Sequence, residues 1–415
     1  MARSDQSPVD RFAVGAREPL FFMHIPKTAG MSMRLYLSGQ YRTDDVCPAT
    51  RWQDILEREE SLKAYGLVQG HFRYNLHELL PDGMRTLVIL RQPLRRTLSA
   101  LRHLQRDPNF HRDHELAKSM TIAEILRHPG LMRNQHNVQA RFLCASRQAA
   151  LVSADLLRAR AANTTADAGD GEPPPKLQLA QDRLASIDFI GLTEDIGTVL
   201  SGMARAMNYH PPAHFPHINE DPQRRDPLEH MSAEDLEILR LHNDVDLPLY
   251  EFAIRLIRRR GFEQSMRDLV GSGMYEAPPG SFEIPMTDIM PGSGWYATEQ
   301  DGEIAWRWTG PGQYFSIEVP LRPDASYRLH MSFGSAGPFG PGDLTAEVND
   351  IPVECEIEVE DAGYRCALVI PRETLGAEGF CSIRFDTGGT LQVSAEDNRR
   401  LGVAVRRVAF ECLGG

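Results

Sequence analysis

Hydrophobic positions in the first two thirds of the chain form short, mostly apolar runs that alternate with segments of helical spacing. The runs Phe21 to Ile25, Thr86 to Leu90 and Phe189 to Leu192 have the length and composition of buried strands. Apolar positions spaced three and four residues apart follow each run, as in an amphipathic helix. Strands that alternate with helices predict an α/β domain, with a parallel sheet and helices on both faces.

Helix boundaries in this part are marked by capping residues. The first helix is predicted from about Gly30 to Gln40, directly after the first strand. Asp195 is placed to cap the helix that follows the strand at 189–192. Further along, Ser232 and Asp235 have the spacing of a capping box at the start of a late helix.

The pattern changes after the segment "GSGMYEAPPGS", where alternating strands separated by Gly, Pro and Asp-rich turns begin. This pattern is typical of an antiparallel β-sandwich. We therefore predict an N-terminal tail over residues 1–18, an α/β domain over 19–275 and a β-sandwich domain over 276–415. The small, polar, proline-rich stretch at about 162–176 is expected to form a mobile surface loop.

Charge separates the two predicted domains and limits their partners. From Glu276 onward there are 22 acidic and 10 basic residues, whereas the first 275 residues are neutral overall. An acidic module is a poor binder of nucleic acid or of an anionic membrane. No apolar run is long enough to span a bilayer and no signal peptide is visible, so a cytoplasmic protein is expected. The six cysteines are scattered without CxxC spacing, which argues against a metal site.

The loop in "PLFFMHIPKTAGMSMRLYL" has the composition of an anion-binding turn between a strand and a helix. It lacks the first glycine of a GxxxxGK[ST] phosphate loop, and its lysine precedes the turn instead of closing it. The candidate contacts are main-chain N–H groups at the helix start and the polar side chains of the turn: Lys27, Thr28, Ala29, Gly30, Met31 and Ser32.

A second anion site is predicted at the end of the strand at 86–90. Arg91 follows that strand at its carboxyl end, where parallel sheets bind ligands, and Ser99 lies eight residues further on. A guanidinium fork and a hydroxyl can converge on one phosphate. Two anion sites on neighbouring strands indicate a nucleotide with a terminal 5′ anion and a separate phosphate.

These motifs resemble those of carbohydrate sulfotransferases that use 3′-phosphoadenosine 5′-phosphosulfate (PAPS). "HIPKTAGMS" is similar to their 5′-phosphosulfate loop and "RQPLRRTLS" to their 3′-phosphate motif. "GHFRYNLHELL", "SALRHLQRD", "NVQARFL" and "FIGLTEDI" extend the likeness over about residues 19–262, nearest to the heparan sulfate 6-O- and 2-O-sulfotransferases. Gln92 and Met31 depart from the usual residues, Asp and Thr or Ser.

The resemblance implies a bacterial, cytoplasmic sulfotransferase of P-loop-like fold that acts on a saccharide, without a metal. It assigns His71 as the general base and Lys27 as the group that neutralises charge on the leaving nucleotide. Arg73, His103 and Arg141 are further candidates on the substrate side. His103 is alternatively a support for the 3′-phosphate helix, and Arg141 is equally compatible with a solvent-exposed position.

Other interpretations of the sequence remain open. A nucleotide kinase with a degenerate phosphate loop would bind ATP with magnesium, and a non-catalytic glycan-binding protein would use the sandwich alone. Trp295, Trp306, Trp308 and Tyr314 are compatible with a sugar-stacking surface, although core positions are the more common place for strand aromatics. The acceptor and the oligomeric state are not encoded in any recognisable pattern.

Overall fold

A computed structural model describes residues 17–52, 54–55, 62–108, 113–145, 174–210, 228, 230–275, 280–337, 342–361, 363–392, 397 and 399–414. Residue contacts divide the chain into two units, Met1–Ile257 and Arg258–Gly415. The sequence places the domain boundary after residue 275, whereas the division by contacts falls earlier. Residues 258–275 therefore group with the C-terminal unit.

The first unit is built on a four-stranded parallel sheet. Its strands lie in the order β2-β1-β3-β4. They are β1 (Leu20–Met23), β2 (Leu67–Gly70), β3 (Arg85–Leu90) and β4 (Phe189–Leu192). The strands predicted at 21–25, 86–90 and 189–192 are confirmed within two residues of each end. The α/β class is confirmed as well, since every pair in this sheet is parallel.

Helices connect and cover these strands. They are α1 (Gly30–Ser38), α2 (Pro93–Arg106), α3 (His114–Ala117), α4 (Ile122–Arg127), α5 (Pro129–Met132), α6 (Val138–Cys144), α7 (Leu177–Ala185), α8 (Ile196–Ala206), α9 (Ala233–Leu241) and α10 (Asp246–Gly271). Short 3₁₀ helices occur at Thr43–Asp45, Leu62–Ala64 and Tyr74–Leu79. The division between the two units falls within α10.

Alternate residues of the strands pack on opposite faces of the sheet. Phe21 and Val88 join a buried cluster with residues of α6, α7 and α10. Phe22 and Leu87 face the other way and pack with residues of α1 and α8. The sheet is thus covered by helices on both faces, which explains why its strands read as continuous apolar runs.

The predicted caps are present where the sequence places them. The Asp195 carboxylate accepts a hydrogen bond from Thr198 N at 3.4 Å, and Ser232 Oγ accepts one from Asp235 N at 3.1 Å. Helix α1 begins at Gly30 as predicted and ends at Ser38, two residues before the predicted end; Gly39 N makes the last bond of the helix, to Leu35 O at 3.3 Å.

The second unit consists of antiparallel sheets. One sheet has the order β11-β10-β14-β8, and the other has β12-β13-β9-β15-β7-β6 with β5 paired to β15. Their strands are β5 (Phe282–Ile284), β6 (Trp295–Asp301), β7 (Ile304–Thr309), β8 (Tyr314–Pro320), β9 (Ser326–Ser335), β10 (Thr345–Val348), β11 (Ile351–Val353), β12 (Glu356–Glu360), β13 (Gly363–Ile370), β14 (Phe380–Asp386) and β15 (Val403–Gly414). Residues of both sheets share one buried core, as in a sandwich.

The aromatic residues of this unit occupy different environments. Trp295 packs on the core, with its indole Nε1–H bonded to Ser316 O at 2.8 Å, so it is a structural residue. Trp306 and Trp308 lie partly exposed on β7, and Tyr314 is 51% exposed. The four aromatic residues therefore do not share a single role.

Two predicted segments are only partly described. Most of the tail at 1–18 and of the loop at about 162–176 lies outside the described residues. Among the described helices, none has the length and apolar character required to span a bilayer.

Candidate functional site

The turn between β1 and α1 has a left-handed backbone at two positions that are not glycine. Lys27 has φ 74° and Ala29 has φ 60°, and Ala29 is the N-cap residue of α1. Ala29 has no side-chain acceptor that could cap this helix start. The positive end of the helix dipole at this start favours an anion.

Gly30, the first residue of α1, lies directly against the ring of His24. A Cβ at position 30 would be 1.7 Å from His24 Nε2, so no larger residue fits without moving the ring. The ring stacks on Phe22 at 5.5 Å and lies 4.3 Å from the ring of His71. His24 is only 5% exposed, and its Nδ1 has no hydrogen-bond partner in the described part of the chain. The turn thus rests on a buried, tightly enclosed imidazole.

His71 follows β2 and is oriented by two main-chain groups. Its Nδ1 lies 3.1 Å from His24 O, and its own N–H bonds to Thr50 O at 2.8 Å. Because a carbonyl only accepts, Nδ1 carries the proton and Nε2 carries the lone pair. Desolvation lowers the pKa of His71, and the charges of Arg34 and Arg51 lower it further. The hydrogen bond to His24 O opposes this shift.

The electrostatic environment of the two histidines is cationic. Burial lowers the pKa of His24 to about 3, with further contributions from His71, Arg34 and Lys27. No carboxylate is among the charges that shift the pKa of either histidine. Burial and the positive charges together keep both imidazoles neutral at pH 7, and the charges of Arg34, Lys27 and Arg51 would attract an anion.

Arg91 lies at the carboxyl end of β3 and contacts the turn. Its Nη1 donates a hydrogen bond to Lys27 O at 3.2 Å, which joins the two predicted anion sites. The side-chain amide of Gln139 holds the main chain of Arg91 on both sides. Gln139 Oε1 accepts from Arg91 N at 2.9 Å, and Gln139 Nε2 donates to Arg91 O at 2.9 Å.

Gln139 is itself fixed by two helices that cap each other. The Asp246 carboxylate, at the start of α10, accepts hydrogen bonds from Gln139 N at 3.1 Å and Ala140 N at 2.7 Å, in the first turn of α6. In return Asn137 Oδ1, at the start of α6, accepts from Val245 N at 2.9 Å and Asp246 N at 3.0 Å. Each helix thus supplies the cap of the other.

A buried arginine lies beside this network. Arg96 on α2 is 1% exposed, and its Nη2 donates to Thr97 Oγ1 at 3.0 Å and Gln135 Oε1 at 3.3 Å. Burial lowers its pKa to about 10, while the charge of Asp246 opposes the shift. Thr97 Oγ1 continues the network to Asn243 Oδ1 at 3.1 Å. Arg96 is therefore a structural cation behind the strand end and not a surface arginine.

Gln92, where the resembling family has Asp, caps helix α2. Its Oε1 accepts from Arg95 N at 2.8 Å, and its own N–H bonds to Glu194 Oε1 at 3.0 Å. Glu194 also accepts from the Tyr250 hydroxyl at 2.8 Å, and Asp195 caps α8. The carboxylates at the end of β4 thus serve structural hydrogen bonds.

The remaining residues of the predicted nucleotide site occupy varied positions. Thr28 is fully buried, and its hydroxyl donates to Ile25 O at 2.9 Å within the turn. Ser32 is buried on α1, whereas Met31 is 55% exposed. Ser99 is half-buried on α2, eight residues after Arg91. The Thr28 hydroxyl therefore stabilises the turn itself.

The residues assigned to the substrate side fall into two groups. His103 on α2 lies within the electrostatic reach of Lys27, whose charge adds to desolvation in lowering the pKa of His103. The guanidinium of Arg73 lies over the Phe142 ring at 5.6 Å. Burial lowers the pKa of Arg73 to about 10, and the charge of Arg141 contributes. Arg73 and Arg141 thus form a second cationic group.

His24 and Gln139 were missing from the sequence-based site. A histidine within an otherwise apolar strand run was a usable signal for His24. No local pattern pointed to Gln139, because its partner Arg91 is 48 residues away along the chain.

Comparisons with known proteins leave the family open. No protein-family model and no curated protein matches the chain. A crystal structure of the plant receptor-like kinase ANX1 is similar over 29% of this chain and 34% of that chain, with 12% identity and a TM-score of 0.17. This chain thus matches about a third of that structure, and the low TM-score carries no argument about fold or function. Within the described ranges, no cluster of three or more His, Cys, Asp or Glu residues could hold a metal ion.

Proposed function

We propose that the first unit is a P-loop-like sulfotransferase domain that transfers the sulfuryl group of PAPS to a saccharide hydroxyl. One observation carries the proposal: the hydrogen bond from Arg91 Nη1 to Lys27 O at 3.2 Å, which joins the anion-binding turn to the end of β3. A nucleotide with anions at both its 5′ and 3′ positions matches two adjacent cationic sites of this kind.

The residues present fit such a nucleotide. The 5′-phosphosulfate would lie on the turn at 27–32, against the start of α1 and the Lys27 ammonium. The 3′-phosphate would lie at Arg91 and Ser99, where a planar guanidinium can bind two phosphate oxygens. The cationic surroundings of His24 and His71 favour a polyanion.

The same geometry supports in-line transfer with His71 as the base. The acceptor oxygen forms a bond to sulfur while the bond from sulfur to the bridging phosphate oxygen breaks. His71 Nε2, which carries the lone pair, takes the acceptor proton. The Lys27 ammonium offsets the negative charge on the departing adenosine 3′,5′-bisphosphate.

The acceptor side is assigned to the cationic pair Arg73 and Arg141, with His103 close to Lys27. Arginines that are partly buried beside an aromatic ring suit a polar, hydroxyl-rich or acidic saccharide. A bacterial cytoplasmic enzyme that modifies a polysaccharide or glycoconjugate precursor is the context we infer from the sequence resemblance.

Thermal denaturation with candidate nucleotides tests the proposal. A ligand at about 100 times its Kd stabilises the folded protein by roughly 2.7 kcal/mol. We expect adenosine 3′,5′-bisphosphate to stabilise the wild type, and Arg91→Ala to abolish the effect. Arg106→Ala, at the exposed end of the same helix, is the matched control and should retain it. Stabilisation by ATP with magnesium but not by the bisphosphate would refute the proposal in favour of a kinase.

A further inference from the structure

The C-terminal unit contains a cavity of about 600 Å³ that the proposed transfer reaction does not use. One wall of the cavity is the end of α10 and the residues that follow this helix. The other wall is formed by strands β5 and β8. All of its lining residues fall between positions 266 and 320, within the second unit. The volume is in the range of small-molecule sites, roughly 300–1,000 Å³.

The helical wall of the cavity is held in place by specific contacts. Met266 is 2% exposed, and the next residue, Arg267, donates from Nε to both carboxylate oxygens of Glu378 at 3.0 and 2.9 Å. These contacts are made within the second unit, so the wall and the strands belong to one compact body. The cavity is therefore preformed.

Most of the lining is apolar. Met266, Leu269 and Met274 contribute from the helical side, and Phe282, Ile284 and Val319 from the strands. Methionine side chains are flexible and polarisable, so they adapt to apolar ligands of different shape. Met274, which is also part of the lining, is 67% exposed.

Every charged residue in the lining is an acid: Glu283, Asp288 and Glu318. Glu283 is paired with Arg407 at 2.9 Å, so it is already neutralised. Glu318 Oε1 accepts from the neutral hydroxyl of Ser316 at 3.0 Å, and neither Glu318 nor Asp288 forms an ion pair among the described residues.

Arg307, which contacts the main chain of the lining residue Asp288, donates its hydrogen bonds to main-chain groups. Arg307 donates to the carbonyls of Met286 at 2.9 Å, Asp288 at 2.8 Å and Tyr296 at 3.3 Å. Tyr275 lies on the other side of the cavity, where burial raises the pKa of its hydroxyl and the charge of Glu318 raises it further. An aromatic ring and a carboxylate thus face the same space.

From this arrangement we propose that the cavity binds an organic ammonium ion with an apolar body, seating the apolar part against Met266, Leu269 and Val319 and the ammonium group near Glu318 and Tyr275. Carboxylates complement the charge, and an aromatic face adds a cation–π contribution. An organic anion of the same shape is repelled. The site is independent of the nucleotide site, so either proposal can fail without the other.

Three probes that share a phenyl ring on a four-carbon chain and carry head groups of different charge test the proposal on the full chain. They are 4-phenylbutylamine, 4-phenylbutan-1-ol and 4-phenylbutyrate, titrated by isothermal calorimetry at low salt. We expect the amine to bind about tenfold more tightly than the alcohol, a difference of about 1.4 kcal/mol, and the carboxylate not to bind. Added salt should weaken the binding of the amine and leave the binding of the alcohol unchanged.

Matched variants separate charge from shape. Glu318→Gln should lower the affinity for the amine to that for the alcohol. Glu303 is an exposed acid outside the lining, so Glu303→Gln should leave the affinity for the amine unchanged. Leu269→Trp should fill the cavity and abolish binding of all probes, with an unchanged melting transition as the check on folding. The proposal is overturned if the three probes bind alike, if none binds, or if Glu318→Gln leaves the amine affinity intact.

Discussion

The contact between Gly30 and the His24 ring makes Gly30→Ala the most informative single substitution. The added Cβ would lie 1.7 Å from His24 Nε2 and 1.9 Å from Cδ2, far inside any real contact. The ring cannot retreat freely, because Phe22 stacks on it at 5.5 Å and His71 lies at 4.3 Å. Either the imidazole or the start of α1 must therefore move.

The expected cost follows from two opposing effects. Overpacking a buried site typically costs about 1–3 kcal/mol. Replacing glycine by alanine in a helix raises the free energy of unfolding by up to about 1 kcal/mol, and by less in the first turn. We expect Gly30→Ala to lower the free energy of unfolding by about 1–2 kcal/mol. It should also weaken bisphosphate binding at least tenfold, because the turn and His71 both rest on the displaced ring.

Urea unfolding with and without adenosine 3′,5′-bisphosphate measures both effects. Gly202→Ala is the matched control, since Gly202 lies within helix α8 and a Cβ there meets no atom within 4 Å. The free energy of unfolding of that variant should be roughly 0.5–1 kcal/mol higher than that of the wild type, and its bisphosphate binding should be unchanged. If Gly30→Ala behaved like Gly202→Ala, the close packing of the turn on His24 would have no energetic consequence and the reasoning would be wrong.

Three further predictions concern the side chains around the turn. Gln139→Leu removes both hydrogen bonds to the main chain of the half-buried Arg91. Calorimetry should therefore give about tenfold weaker bisphosphate binding, and the free energy of unfolding should fall by about 1 kcal/mol or more. An unchanged Kd would count against Gln139 as a positioning residue. His71→Asn should reduce sulfuryl transfer by about a hundredfold or more while bisphosphate stabilisation persists, and equal losses of both would point to a structural role. His24 has a pKa of about 3 when folded and 6.5 as its ordinary value, so the unfolded chain binds the extra proton below pH 6.5 and stability is lost as the pH falls. The contribution of His24 to that loss is roughly 2 kcal/mol at pH 5. Urea unfolding at pH 7.5 and 5 should therefore show a steeper decline for the wild type than for His24→Asn, and parallel declines would contradict the shifted pKa.

The sequence predicted those parts of the fold that depend on neighbouring residues. Strands β1, β3 and β4 are short apolar runs, and the caps at Asp195 and Ser232 bond to residues three positions away, so both are visible in a local window. Strand β2, which contains Gln69 and Gly70, was not predicted. The start of α1 at Gly30 was predictable for the same reason. The division of the chain by contacts, between Ile257 and Arg258, depends on residues that are distant in sequence and is therefore not visible in a local window.

The candidate site was predictable only at the level of its motifs. Lys27 and Arg91 stand at strand ends, and the sheet order then places them side by side. The proximity of His24 to Gly30 depends on a backbone turn with positive φ at Lys27 and Ala29, which those residue types do not favour. Such a conformation is imposed by tertiary packing, so sequence propensity does not reveal it.

The mutual caps of Asn137 and Asp246 have a consequence for how this chain can change over time. The two residues are 109 positions apart, yet each satisfies N–H groups at the other's helix start. Each side chain accepts from main-chain N–H groups, so losing one of them opens two donors at one helix start and leaves the other cap intact. A change at the second position therefore cannot restore what a substitution at the first position loses. We expect the two positions to be retained independently among related chains, each for the donors that it alone satisfies.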